Sequence, residues 1–137
     1  MKKQSVAVLK KKADKFFSTY VRYRDAERLP DGWYGECITC NASYPIKQLQ
    51  AGHFVSRRVN ALRFEEENVN AQCTGCNMFK SGEQYAYSKA LDLKYGTGTA
   101  DRLFSRRFET HKFSISELEE IINDAREQIR FYEQEVT

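Results

Sequence analysis

Apolar side chains at Val6, Leu9, Ala13, Phe16, Phe17, Tyr20 and Val21 recur every three to four residues. That period predicts an amphipathic helix from about residue 4 to 24. Lys10, Lys11, Lys12, Lys15, Arg22 and Arg24 fill much of the remaining surface, giving the helix a basic side that is either solvated or laid against phosphates. Leu29-Pro30-Asp31-Gly32 ends it with a turn signal. Residues 44–54 then alternate polar and apolar positions and predict a β-hairpin region leading to His53, and 68–72 predict a second strand. Ser81 followed by Gln84 reads as a capping box for a helix over 83–95, closed by Gly96. A short helix follows over 100–107. The last helix has Ser114 as N-cap, Glu117 at the third position, and a Phe113–Leu118 staple. Leu118, Ile121, Ile122, Ala125, Ile129 and Tyr132 form its apolar stripe.

At 137 residues, with 41% hydrophobic and 30% charged side chains and no internal repeat, the chain reads as a single domain, 1–137. Its parts are a basic helix and turn over 1–30, a central core over 35–82 and a helical part over 83–137. The formal net charge of +3 conceals a gradient. Residues 1–30 carry nine basic against three acidic side chains, and residues 113–137 carry two against seven. A polyanion would approach from the first of these ends. No apolar run reaches the roughly 18 residues that cross a bilayer, and the basic N-terminal segment lacks the apolar stretch of a signal peptide. The expected setting is cytoplasmic, without a membrane partner.

All four cysteines lie between residues 37 and 76, as Cys37-x-x-Cys40 and Cys73-x-x-Cys76, 32 residues apart. Each pair has the spacing with which two thiolates grip one Zn²⁺. In a chain without an export signal, metal binding is a better reading than disulfides. Four thiolates saturate a tetrahedral ion and leave no open position for a catalytic water, so the zinc is expected to be structural. The intervening segment is too long for a simple zinc ribbon and must have a fold of its own.

That segment contains Ala51-Gly52-His53-Phe54, Arg57-Arg58, the run Leu62-Arg63-Phe64-Glu65-Glu66-Glu67-Asn68-Val69-Asn70-Ala71-Gln72 into the second cysteine pair, then Asn77 and Lys80-Ser81-Gly82. With the flanking YGTGTADRL and SISELEEI stretches, it resembles the phage NinG/Rap recombination endonucleases, a four-cysteine branch of the HNH (ββα-metal) nucleases. The resemblance implies an α+β, mainly helical fold: a zinc-stapled ββα-metal (HNH-like) core flanked by N- and C-terminal amphipathic helices. It implies a metal-dependent endonuclease acting on branched recombination intermediates, D-loops and Holliday junctions, in a host cell's cytoplasm. His53 then takes the place of the general base, Asn68 that of the residue orienting the loop that carries the base, and Asn77 that of a ligand to the catalytic cation. Such nucleases commonly have Asp or His before the base. This chain has Gly52, so Glu66 or Glu67, or water and substrate phosphate, would complete the shell of a Mg²⁺ or Mn²⁺ ion.

The residue chemistry agrees with that implication. A neutral imidazole accepts a proton at physiological pH, and a hard cation relieves charge at the phosphorane. Arg57, with Arg58, follows His53 closely enough to clamp a scissile phosphate; Arg63 and Lys80 are further DNA contacts. The partner expected is branched or double-stranded DNA, and two symmetric nicks across a junction would call for a homodimer. His111 reads as a surface residue. Two other functions fit the same motifs: a zinc-stapled DNA-binding module without catalysis, with Gly52 marking a decayed site, and an HNH nicking endonuclease on ordinary duplex.

Overall fold

The structure, a computed structural model, describes residues 4–134. The two ends of the expected domain, 1–3 and 135–137, lie outside the described residues. Helix α1 runs Val6–Arg24, and its N-cap Ser5 accepts a hydrogen bond from the Val8 N–H at 3.2 Å. Leu9, Ala13, Phe17 and Val21, each four residues from the last, are its buried line. Strands β1 (Ala26–Leu29) and β2 (Gly32–Glu36) form an antiparallel hairpin, with Leu29 opposite Gly32. The Pro30-Asp31 turn between them is thus a hairpin tip, not merely the end of a helix. Strand β3 (Ser43–Pro45) adds to β2 and completes a three-stranded sheet in the order β1-β2-β3.

Strand β4 (Leu49–His53) belongs to a second sheet, paired antiparallel with β5 (Val69–Cys73). The expected hairpin over 44–54 therefore does not form. A 3-10 turn, Ile46–Gln48, separates its halves, and Tyr44 pairs with Gly35 while Leu49 pairs with Cys73. Between β4 and β5 lie a one-turn helix α2 (Asn60–Arg63) and a 3-10 turn over Glu66–Asn68. After β5 the chain makes a π-turn, Gly75–Phe79, and then helices α3 (Gln84–Tyr95), α4 (Thr99–Ser105) and α5 (Ile115–Gln134). The result is a mixed α+β fold with two small sheets.

The expected capping box of α3 is absent. Ser81 and Glu83 both have left-handed backbones, φ 52° and 53°, and no side chain caps the helix. The path there is set from the other side, where the Gly82 N–H donates to the Cys76 carbonyl at 2.8 Å. The stop at Gly96 (φ 116°) and the N-cap Ser114, whose hydroxyl accepts from the Glu117 N–H at 3.1 Å, are as expected.

Three apolar clusters hold these elements. Leu9 and Ala13 of α1 pack with Phe113, Leu118 and Ile122, so the start of α1 lies along the start of α5. Tyr23, near the end of α1, stacks on Tyr132, near the end of α5, at 5.6 Å between ring centroids. The two helices therefore run parallel. Phe17 and Val21 meet Val69 of β5, and Phe54, Val55 and Leu62 meet Tyr87, Leu91 and Leu103. No described helix is long and apolar enough to cross a membrane.

Candidate metal centre and the adjoining His53 cleft

The cysteine pairs sit where β2 and β5 run out. Cys37 donates its N–H to the Ala42 carbonyl at 2.9 Å, and Asn41, at φ 63°, returns its own N–H to Cys37 at 2.8 Å. This is a tight knuckle. It is tied to the strand of the second pair by the Ile38 N–H bonding the Ala71 carbonyl at 2.9 Å. On the other side the Cys76 N–H points at the Cys73 sulfur, 3.4 Å away. The four Sγ atoms all lie within 4.8 Å of one another, with Cys40 and Cys73 at 3.9 Å. Four thiolates about 2.3 Å from one tetrahedral Zn²⁺ would be about 3.8 Å apart, so the cluster fits a structural metal.

Three of the four cysteines are buried, and Cys40 is exposed. Burial pushes the Cys37 thiol up. The Thr39 hydroxyl, 3.3 Å away, and the backbone N–H groups around it outweigh burial and bring Cys37 down to about 6. Burial and the neighbouring sulfurs push Cys76 up to about 12. One knuckle is thus poised to give a thiolate, and the charge of a cation would draw the protons off the others.

The β4–β5 ladder carries this anchor to His53. Leu49 faces Cys73 at one end and His53 faces Val69 at the other, four residue pairs or about 13 Å along. His53 lines a cleft of about 380 Å³ with Asn77, Arg57, Arg63, Gln50 and Asp14. Its Nε2 lies 3.0 Å from the Arg63 carbonyl oxygen. A carbonyl only accepts, so Nε2 carries the proton and Nδ1 keeps its lone pair. Burial lowers the imidazole's pKa below its usual value, against the opposing pull of the Arg63 carbonyl and of Asp14, while the charges of Arg57 and Arg63 add smaller effects in the same direction as burial. The ring is neutral at physiological pH.

Asn68 fixes the loop that positions this histidine. Fully buried, it accepts from the Val55 N–H at 2.8 Å and donates to the carbonyls of Val55 and Leu62 at 3.0 and 3.1 Å. One amide thereby holds both ends of the 55–62 loop. Asn77 donates from Nδ2 to the Gln50 side chain at 2.7 Å, which leaves Oδ1 as the end of its amide able to face a cation.

Other expected site residues lie elsewhere or are committed. Glu66 does not reach the His53 cleft. It accepts from the Tyr20 hydroxyl, with Arg24 4.0 Å away, and lines a separate cleft with Ile121 and Gln128. Glu67 is paired with Arg102. Arg63 does line the cleft, but its guanidinium is closed by Asp14 on one edge and by the Arg57 carbonyl on the other, so it braces α1 rather than offering a fork to phosphate. Arg24 turns inward to Asp25 and the Val69 carbonyl. Arg57, Arg58 and Lys80 are exposed, and none forms an ion pair among the described residues. His111 is on the surface, bonded to Glu117. Asp14 and Gln50 had no motif to announce them. The one hint was that Asp14 is the single acid among the lysines and arginines of residues 1–24.

Gly52 has a spatial cause. A Cβ built there would sit 1.8 Å from the Gln72 Oε1 and 2.7 Å from its Cδ. Gln72 is fully buried and donates to the Gly82 carbonyl at 2.9 Å and to the Thr39 hydroxyl at 3.2 Å, so it bridges the two cysteine knuckles through the space a side chain at 52 would need.

A sequence profile of the family described as "Bacteriophage Lambda NinG protein" matches residues 1–135. Protein ninG of Escherichia phage lambda is 31% identical over 112 residues, covering 81% of this chain and 50% of that protein. Protein ninG of Salmonella phage P22 is 30% identical over 112 residues, covering 81% and 51% respectively. Protein ninG of Escherichia phage 933W is 31% identical over 108 residues, covering 78% and 49%. The chain spans about half the length of these curated relatives. No solved structure matches it.

Proposed function

The chain belongs to the NinG family, and from its His53 cleft we propose that it is a metal-dependent DNA endonuclease with branched DNA as its substrate. The observation that carries this reading is the pairing of a neutral, carbonyl-oriented His53 with the Asn68 clamp on its loop. A buried histidine in any role pairs its ring N–H, so the bond to Arg63 alone does not separate a base from a core residue. What favours a base is the ring's place in the wall of a cleft shared with Arg57 and Asn77, beside a loop held by a buried amide, because proton transfer depends on a lone pair held towards the attacking water.

In this reading Nδ1 of His53 takes the proton of the water that attacks the phosphorus, and Arg57, unpaired at the cleft, offsets charge on the phosphorane. Among the described residues the cysteines are the cluster of three or more metal-binding side chains. In the cleft, the Asp14 carboxylate is occupied by Arg63. Asn77 Oδ1 thus remains as a neutral oxygen; Mg²⁺ is usually held by one or two carboxylates with substrate phosphates and water, so here the substrate phosphate and water would have to complete most of the shell. When bound, the ion would supply Lewis-acid relief of charge at the phosphate. Zinc at the cysteines would hold β2 and β5 together and take no part in the chemistry.

The test is cleavage of a synthetic four-way junction, a D-loop and a linear duplex by zinc-loaded protein with Mg²⁺ or Mn²⁺. The branched substrates should be cut. His53→Ala should lower the rate by about 10²- to 10⁴-fold, the worth of a general base, with zinc content and circular dichroism preserved. No cutting by the zinc-loaded wild type would refute the nuclease reading in favour of a binding module. Equal cutting of all three substrates would refute the preference for branches.

A further inference from the structure

The cleft is bordered by the segment that leaves the second cysteine pair. Asn77, Ser81, Gly82 and Gln84 line it, and the residues between and beside them do not turn inward. Met78 is 61% exposed, Phe79 80% and Tyr85 74%. Met78 receives only a weak contact, from the Gln50 amide to its sulfur at 3.4 Å. Phe79 has no ring neighbour among the described residues, and Lys89 lies 4.6 Å over the ring of Tyr85. Three large apolar side chains thus stand in water beside a polar cleft.

Phe79 ends the π-turn that carries Cys76 and Asn77, and that turn is closed by the Lys80 N–H bonding the Gly75 carbonyl at 3.0 Å. An inserted π-turn is uncommon and recurs at functional positions. The charges nearby select the partner. Arg57 in the cleft, Arg58 after it and Lys80 next to Phe79 form no ion pair among the described residues, while Arg24, Arg63, Arg102 and Arg106 are all matched to carboxylates. Exposed aromatics among uncompensated cations suit a polyanion that carries flat apolar faces, which describes unstacked nucleobases.

Resting on the reading of the His53 cleft as a DNA site, we propose that Phe79, flanked by Met78, is a base-stacking platform: it engages a nucleotide unstacked at a branch point and so selects branched over continuous duplex DNA. In uninterrupted duplex every base face is covered by its neighbours, so the platform finds a surface only where stacking is broken. The cysteine anchor places it one residue from Met78 and two from Asn77, which couples recognition of the branch to presentation of a phosphate at His53.

The experiment measures binding, apart from cutting. A four-way junction with 2-aminopurine at the branch point is titrated in the absence of Mg²⁺ with the zinc-loaded protein and with Phe79→Ala and Phe79→Trp. Wild type should change the 2-aminopurine fluorescence. Phe79→Ala should lose that change and bind the junction about five- to hundredfold more weakly, the range found for one stacked base, with duplex affinity unchanged. Phe79→Trp should restore both. Phe79 is exposed, so loss of fold is not expected; equal zinc content and melting temperature verify it. Unchanged junction affinity and signal in Phe79→Ala would overturn the proposal. So would a fall from dimer to monomer in that variant without any fluorescence effect, which would make the patch a contact between copies. A protein that stacks in this assay but cuts nothing refutes the nuclease reading alone.

Discussion

A side chain at Gly52 should destabilise the protein through Gln72, and the size of the effect follows from the contacts. The backbone at Gly52 is ordinary strand, not the left-handed region, so conformational freedom is not what the position needs. Replacing a glycine by alanine at such a site would otherwise stabilise by about 0.4–1 kcal/mol. Here the new Cβ would lie 1.8 Å from the Gln72 Oε1, and relief requires the amide to retreat by well over an ångström. Gln72 then leaves the Gly82 carbonyl and the Thr39 hydroxyl, abandoning a buried acceptor at about 1–3 kcal/mol and forcing extra volume into a packed strand pair at a similar cost. Allowing for relaxation, Gly52→Ala should lose about 2–4 kcal/mol, or ~10 °C in melting temperature for a chain of this size. Differential scanning calorimetry of zinc-loaded protein measures it. In a Gln72→Ala background the same substitution should cost much less, giving a coupling energy above about 1 kcal/mol in the double-mutant cycle. A Gly52→Ala protein that melts at or above the wild-type temperature would refute the reasoning. The same geometry says that Gly52→Asp alone would not add a cation ligand.

Three further outcomes follow from the site. Burial lowers the pKa of His53, so the cleavage rate should stay level below pH 6.5 and fall only as pH drops through the depressed value. Stability has the matching sign: below about 6.5 the unfolded chain binds a proton that the folded histidine refuses, so acid should lower the melting temperature less in His53→Gln than in wild type. An equal loss in both would place the acid sensitivity elsewhere. Removing zinc with a chelator, or replacing Cys73 by Ser, should abolish the cooperative melting transition, because the energy of structural zinc binding is folding energy. A sharp, unshifted transition in metal-free protein would contradict the role given to the four sulfurs.

The parts readable from sequence are those with local causes. Two C-x-x-C pairs announce a metal cluster because thiolate spacing is set by one ion. Helices α1 and α5 follow from a 3.6-residue period and, at Ser114, from a cap a few atoms away. The β1–β2 hairpin was illegible because residues 26–29 are mostly exposed and carry no alternation; backbone pairing defines it, with Trp33 seated against Tyr23 and Tyr132. The capping box at Ser81 failed because the path there is dictated by Cys76 and Gln72, distant in sequence or in role. Asp14 and Glu66 show the same limit. Which carboxylate faces His53 depends on how α1 lies across β4 and β5, and the local strings Asp14-Lys15 and Glu65-Glu66-Glu67 contain no record of it.

The parallel pairing of α1 with α5 also has a consequence during biosynthesis. Asp14 braces Arg63 from α1, yet the partner that covers Leu9 and Ala13 of that helix is α5, which is translated after every other described element. At 5–20 residues per second, α1 waits on the order of ten seconds before α5 leaves the ribosome. Through that interval its apolar line is uncovered, and the cleft lacks a fixed wall. A nascent chain can close its cysteine knuckles early, but the histidine's surroundings are finished only once α5 has emerged.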